Sequence, residues 1–178
     1  MRKCLAALSA IFILVICFSG CNSNTVKTTF EPLVTVEQAN KDSKYAARAY
    51  LESLFLDNRP LFETCYPEGF LTRLGESAGV DIYDEYRKLF NMNGQFLGTA
   101  YADGRNYTIE NGLDEAYMRS RICSVTGLEY SDVGLIRIEK IMVFFDYEQM
   151  VSSDFYIVTY EAGGRWYVLE SINGKVEF

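Results

Sequence analysis

An apolar run near the N-terminus limits how much of this chain can fold as one unit. Arg2 and Lys3 precede an uncharged stretch from Leu5 to Phe18. The stretch is shorter than the roughly twenty residues that a helix needs to cross a bilayer, and its length is typical of the hydrophobic core of a signal peptide. The sequence therefore predicts a leader over residues 1–20, with the folded part after it.

The leader ends in Phe18, Ser19, Gly20 and Cys21, which resembles the lipobox of bacterial lipoprotein precursors. The resemblance implies cleavage between Gly20 and Cys21, and lipidation of the Cys21 sulfur. Two acyl chains hold a protein stably at a bilayer, whereas one chain binds marginally. The resemblance thus implies a lipid-anchored protein on the extracytoplasmic face of a bacterial cell membrane. An uncleaved signal anchor and an ordinary secretory signal that is cut elsewhere remain the alternatives.

Without the leader, the chain keeps 15 basic and 24 acidic residues and a net charge of −9. An acidic protein is repelled by nucleic acid and gains nothing from anionic lipid headgroups. We therefore expect no nucleic-acid partner, and we expect the lipid anchor to supply the membrane affinity.

The mature chain divides into a short tether and one domain. Residues 21–34 are polar, with several Asn and Thr residues and Pro32 near the end, and they predict a tether that reaches at most about 45 Å beyond Cys21. Residues 35–178 suffice to bury the core of a single domain. Two interpretations of Cys65 and Cys123 are open: a disulfide in an exported compartment, or two buried free thiols.

Helices are predicted first along the chain and strands last. Thr35 and Gln38 fit a capping box that begins a helix, which ends at Arg59 before Pro60. Further helices are predicted around Cys65, over 82–90 and over 113–123, and short strands over 96–101 and 107–110. Three longer strands, over 133–147, 155–161 and 165–172, predict an antiparallel meander.

The last predicted hairpin carries the sequence Gly163-Gly164-Arg165-Trp166-Tyr167-Val168-Leu169. Helices followed by such a meander resemble the NTF2-like (cystatin-like) fold of small bacterial lipoproteins, over residues 36–178. The resemblance implies an α+β domain with N-terminal helices packed on a curved antiparallel sheet that encloses a cone-shaped pocket. Another α+β fold with one curved sheet is the alternative. Some NTF2-like proteins place a carboxylate base and a tyrosine in the pocket, and the strand residues of these types here are Glu139, Tyr156, Tyr160, Tyr167 and Glu170.

The residue types needed for common catalytic sites are missing. The sequence has no histidine, which removes the commonest general base and metal ligand, and it has no phosphate-binding, dinucleotide or calcium motif. We expect no metal, no cofactor and no enzyme activity. Two acidic groups are interpreted as charges at helix N-termini, with acid–base catalysis as the alternative: Asp81, Asp84 and Glu85, and Asp114 and Glu115.

Three functional hypotheses follow from the sequence. The first is a lipid-anchored, non-catalytic binding or accessory module for a protein or a small apolar ligand. The second is a small enzyme of isomerase or hydrolase type that uses a buried carboxylate and a tyrosine. The third is a structural or assembly component of the cell envelope that associates through its sheet.

Overall fold

The structure, a computed structural model, describes residues 30–90, 94–107, 114–146 and 150–172. These residues form an α+β domain, which confirms the predicted class. The helices are α1 (Ser43–Phe55), α2 (Arg59–Thr64), α3 (Phe70–Ala78), α4 (Ile82–Leu89) and α5 (Glu115–Thr126). The strands are β1 (Gln95–Asn106), β2 (Val133–Asp146), β3 (Met150–Ala162) and β4 (Arg165–Ile172).

The first helix begins later than the capping-box pattern predicts. The Thr35 amide does donate to the Gln38 side chain (3.1 Å), but this pair closes a turn that precedes the helix. The N-cap of α1 is Asp42, whose carboxylate accepts the Tyr45 amide at 2.8 Å. Pro60 stands in the first turn of α2, where its missing amide hydrogen costs nothing.

The four strands form one open sheet in the order β1-β2-β3-β4, and all neighbours are antiparallel. This is the predicted meander with one strand added at its edge. β1 is a single twelve-residue strand where the sequence predicted a short strand that ends at Tyr101. Its register shifts at two places, between Phe96 and Gly98 and between Tyr101 and Asp103. Such bulges let a long strand continue through Asp103-Gly104.

Helices cover both faces of the sheet, because alternate residues of the central strands point to opposite sides. Ile141 and Ile157 belong to the core cluster that contains α1. Ile138 and Val158 belong to a second cluster, which contains Met118 of α5. The two sides are called below the α1 face and the α5 face.

Aromatic rings fill the α1 face. The Phe55 ring at the end of α1 lies 5.1 Å from the Phe145 ring and 5.5 Å from the Phe96 ring, measured between ring centroids. Phe62 of α2 packs against Tyr50 of α1 at 5.9 Å. Ring pairs at these distances add to the stability gained by burying their area, so this face is a packed core.

Other segments of the chain partly cover both edges of the sheet. On β4, the amides of Trp166 and Val168 donate to the carbonyls of Asn40 (3.1 Å) and Cys65 (2.8 Å). On β1, the Thr99 carbonyl accepts the Glu31 amide, and the Tyr101 amide donates to the Glu31 carboxylate. Covered edges are protected from pairing with the strands of other chains. In the described ranges, no helix combines the length and the apolar character that crossing a membrane requires.

Candidate functional site

The lipidation and cleavage residues predicted from the leader, Gly20 and Cys21, lie outside the described residues. Cys65 and Cys123 lie inside them, and both are free thiols in the structure. Cys65 is buried in the α1-face cluster, whereas Cys123 packs against the α5-face cluster. Burial, aided by the charge of Glu52, raises the pKa of the Cys65 thiol far above its ordinary value, so this thiol is held in its unreactive protonated form.

The acidic residues predicted at helix N-termini have the structural role that was expected for them. Asp81 caps α4 by accepting the Asp84 amide (3.1 Å), and its carboxylate also pairs with Arg59 at 2.9 Å. The hydrogen bond from Arg59 holds the pKa of Asp81 below its ordinary value. Glu85 pairs with Lys88 on the surface at 2.6 Å. Solvent and salt screen exposed pairs of this kind, so each adds little to stability.

The second acidic group is used in the same way by α5. Asp114 caps the helix by accepting the Tyr117 amide at 2.9 Å, and Glu115 pairs with Arg119 one turn later at 2.7 Å. Arg121 makes two contacts to Glu170 of β4, at 2.6 and 2.5 Å. The Glu170 carboxylate is therefore engaged in joining α5 to the sheet.

The structure does not bring the predicted tyrosines to the predicted carboxylate. Tyr156, Tyr160 and Tyr167 belong to or pack against the α5-face cluster. Glu139 lies opposite Ile157 in the β2–β3 pairing, and its side chain therefore points to the α1 face. Glu139 alone among the predicted strand residues is a fully buried carboxylate, at 0% exposure.

Glu139 is paired through one of its two oxygens. Its Oε1 atom accepts the Arg137 Nε–H at 2.6 Å, and Arg137 in turn donates to the Asn106 side chain at 2.7 Å. No described residue donates a hydrogen bond to Oε2. The Tyr101 hydroxyl lies beside this carboxylate, close enough for the Glu139 charge to act on it.

Gly104 makes the space in which the carboxylate and the hydroxyl meet. A Cβ atom built on Gly104 would overlap Glu139 Oε2 and would lie 2.5 Å from the Tyr101 hydroxyl oxygen. Burial raises the pKa of Tyr101 to about 12, and the negative charge of Glu139 adds to this rise. We call Tyr101, Gly104, Arg137 and Glu139 the acid–tyrosine site.

A second buried ionic group lies next to this site, and its polar atoms have partners throughout. Arg48 of α1, at 1% exposure, donates to Glu31 (2.6 Å), to Glu52 (2.9 Å) and to the Pro32 carbonyl (2.7 Å). Glu52 also accepts the Thr99 hydroxyl at 2.5 Å and the Val34 amide at 2.7 Å. These contacts tie the chain that enters the domain to α1 and β1, and we call them the N-terminal clamp.

Sequence reasoning missed the clamp and most of the acid–tyrosine site. A signal for the clamp was present, because Arg48 and Glu52 stand four residues apart among Ala46, Ala47, Ala49 and Leu51. An oppositely charged pair inside an otherwise apolar stretch of helix indicates a buried ion pair. Tyr101 had no such signal, because a bulge and a strand pairing bring it to Glu139, whereas Arg137 shares a face of β2 with Glu139 by strand alternation.

An open groove lies at the other edge of the sheet, between α2, α3 and the start of β4. It consists of two hollows of about 720 and 260 Å³, which share Glu63, Leu71 and Thr72 in their linings. The larger hollow reaches Val36 and Arg165, and the smaller one reaches Val80. We call these two hollows together the α2–α3 groove.

The described residues contain no cluster of three or more His, Cys, Asp or Glu side chains that is able to hold a metal ion. Comparisons with protein-family models, with curated proteins and with solved structures found no match to this chain. The function is therefore argued from the residues of this chain.

Proposed function

We propose that this protein is a lipid-anchored bacterial lipoprotein whose domain serves as a non-catalytic binding or accessory module outside the cytoplasm. The observation that carries the proposal is the leader, in which an apolar run ends at Gly20-Cys21. Two acyl chains on Cys21 would hold the acidic domain at a bilayer that its charge does not favour. An NTF2-like fold with a cone-shaped pocket is part of this proposal, and the observed α+β domain with its antiparallel meander is compatible with that fold.

The N-terminal clamp supports a short connection between anchor and domain. Because Glu31, Pro32 and Val34 contact α1 and β1, only residues 22–29 would separate a lipidated Cys21 from the folded part. Eight extended residues reach at most about 28 Å. A domain on such a tether works close to the membrane surface, on partners that come to it there.

The packing of the domain favours binding on its outside. Aromatic rings occupy the α1 face, and α5 packs on the other side of the sheet. The open hollows include the α2–α3 groove and one of about 470 Å³ that is lined by Phe55, Phe90 and Phe96. Partly covered sheet edges weigh against the hypothesis of assembly through strand pairing.

Fractionation of cells that express the wild type or Cys21→Ala tests the anchor. We expect the wild type in the membrane fraction and the variant in the soluble or uncleaved precursor pool. Cys123→Ser is the matched control, because it also removes a thiol but leaves the leader intact. A Cys21→Ala variant that fractionates like the wild type would contradict the proposal.

The acid–tyrosine site favours a second candidate, the small enzyme of isomerase or hydrolase type. Burying a carboxylate oxygen without a hydrogen-bond donor costs about 1–3 kcal/mol, and a catalytic role is one reason why a protein keeps such a group. In this candidate Glu139 is the base and Tyr101 the donor. Both would need access to substrate, which the full burial of Glu139 does not provide in this conformation.

A panel of ester, amide and enolisable ketone substrates tests this candidate. General acid–base catalysis contributes about 10²–10⁴-fold, so Glu139→Gln and Tyr101→Phe would each lower an observed turnover by such a factor. Tyr156→Phe is the control on the opposite face. Turnover that is unchanged in Glu139→Gln would eliminate the candidate.

A further inference from the structure

We propose that the α2–α3 groove binds a short, extended, basic polypeptide segment of a partner protein. This inference rests on the proposed function, because it names the partner class of the binding module. It is argued from the apolar residues of the groove, from its charges and from its length.

The described chain covers the apolar part of the groove only in part. Within α3, Phe70 is the one buried residue, and Leu71 on the next position is partly exposed where both hollows meet. Val36 and Val80, each 42% exposed, stand at the two ends. The exposed parts of Val36, Leu71 and Val80 form a surface on which a partner gains stability by burial.

The charges along the groove select a cationic partner. Glu63, Glu68 and Glu76 are exposed in its lining and form no ion pair with a described residue. Arg59 is neutralised by Asp81 and Asp84. Arg165, at the β4 end of the groove, is a positive charge that offsets part of the charge of the three glutamates. The lining therefore keeps an excess of negative charge, which complements lysine and arginine side chains.

The length of the groove indicates how much of the partner it takes. α3 has nine residues and is therefore about 13 Å long, which equals about four residues of extended chain. Apolar side chains at alternate positions would face Val36, Leu71 and Val80. The basic side chains between them start on the outer side but are long enough to reach back to the exposed glutamates at the rim. A second copy of this chain fits less well, because the mature protein is itself strongly acidic.

Fluorescence anisotropy of a labelled peptide of alternating lysine and leucine tests the proposal with the full-length protein in non-ionic detergent. We expect saturable binding that weakens at high ionic strength, and no binding of the same peptide with glutamate in place of lysine. The double variant Glu63→Gln/Glu68→Gln should bind about tenfold more weakly. The control Glu129→Gln removes an exposed charge outside the groove lining and should bind like the wild type.

Three results would overturn the proposal: no binding of the basic peptide, an equal loss in Glu129→Gln, or a dimer in light scattering that Leu71→Ser converts to a monomer. The first two results would show that the groove is not a site for basic peptides. The third would show that a second copy of this chain occupies the groove. None of them bears on membrane fractionation of Cys21→Ala, so failure of this inference and failure of the anchor are separate outcomes.

Discussion

Glu52 and Glu139 are both fully buried on the α1 face of the same sheet, yet their surroundings differ. In the N-terminal clamp, Glu52 accepts hydrogen bonds from Arg48, Thr99 and the Val34 amide, so both of its oxygens are used. In the acid–tyrosine site, the part of the chain that the structure describes gives Glu139 one hydrogen bond, from Arg137 to Oε1. A buried charge with a full set of partners is a structural element, whereas one with an unused oxygen is a candidate for chemistry or regulation.

The two glutamates also differ in what they connect. Glu52 joins a helix, an edge strand and the incoming chain, which are distant in sequence. Glu139 interacts with Arg137 two residues away and with the neighbouring edge strand. We therefore expect substitutions in the clamp to change the stability of the whole domain, and substitutions at the acid–tyrosine site to act locally.

The largest expected effect is the loss of a clamp charge. Glu52→Ala leaves the buried Arg48 with fewer partners and should lower the free energy of unfolding by about 3–5 kcal/mol, measured by urea denaturation. The double variant Arg48→Met/Glu52→Leu should recover much of this loss, because no buried charge remains unpaired. If Glu52→Ala were no more destabilising than the exposed control Glu129→Ala, the clamp would have no structural role.

Substitution of the two fully buried threonines, Thr99 and Thr159, allows a matched comparison in which the expected changes in the free energy of unfolding are smaller. The Thr99 hydroxyl donates to Glu52 and accepts from Arg48, whereas the Thr159 hydroxyl has no hydrogen-bond partner among the described residues. Thr99→Val should lower the free energy of unfolding by about 1–3 kcal/mol, and Thr159→Val should change it by less than about 0.5 kcal/mol or increase it. Equal losses in urea denaturation would contradict the distinction between the two sites.

A methyl group on Gly104 tests the crowding at the acid–tyrosine site. Gly104→Ala should cost about 1–3 kcal/mol, because the added Cβ overlaps the Glu139 carboxylate. The same substitution in a Glu139→Ala background should cost much less. Double-mutant-cycle analysis of thermal unfolding measures the difference, and identical costs in both backgrounds would show that Glu139 does not occupy this space.

The smallest expected effect is on the ionisation of Tyr101. Burial is the first cause of its raised pKa of about 12 and the Glu139 charge the second, so Glu139→Gln should lower this pKa but leave it above its ordinary value. Because the unfolded chain ionises first, the stability contributed by neutral Tyr101 is complete below pH 10 and is lost as the pH rises towards 12.

Ultraviolet absorbance of tyrosinate follows this titration, and Tyr101→Phe identifies the contribution of Tyr101. Glu52→Gln is the matched control, since it removes the other buried charge. If Glu52→Gln shifted the pKa of Tyr101 as much as Glu139→Gln does, the proposed interaction of Tyr101 with Glu139 would be contradicted.

The sequence predicted the parts of the fold that depend on local pattern. The strands around Ile141 and Ile157 and the Gly163-Gly164 turn are where the residue types placed them, because β-branched and aromatic residues favour strands and glycine favours such turns. The helix over Phe70–Ala78 was not predicted. It lies between Gly69 and Gly79, which both adopt the left-handed conformation that ends or begins a helix, and it buries one residue.

The candidate sites were less predictable, because long-range pairing forms them. Glu139 was among the suggested residues, but its neighbour is Tyr101 and not Tyr156, Tyr160 or Tyr167. Which tyrosine shares a face with Glu139 depends on strand register and on the bulge after Tyr101. No single-sequence pattern specifies either of these.

Mass spectrometry of the N-terminal peptide of the native protein tests most directly the central proposal, that lipid on Cys21 anchors the domain at a membrane. The account predicts a mature chain that begins at Cys21 and carries the mass of a diacylglyceryl group on this residue. A chain that retains residues 1–20, or one that is cut elsewhere and has no acyl mass on Cys21, would contradict it.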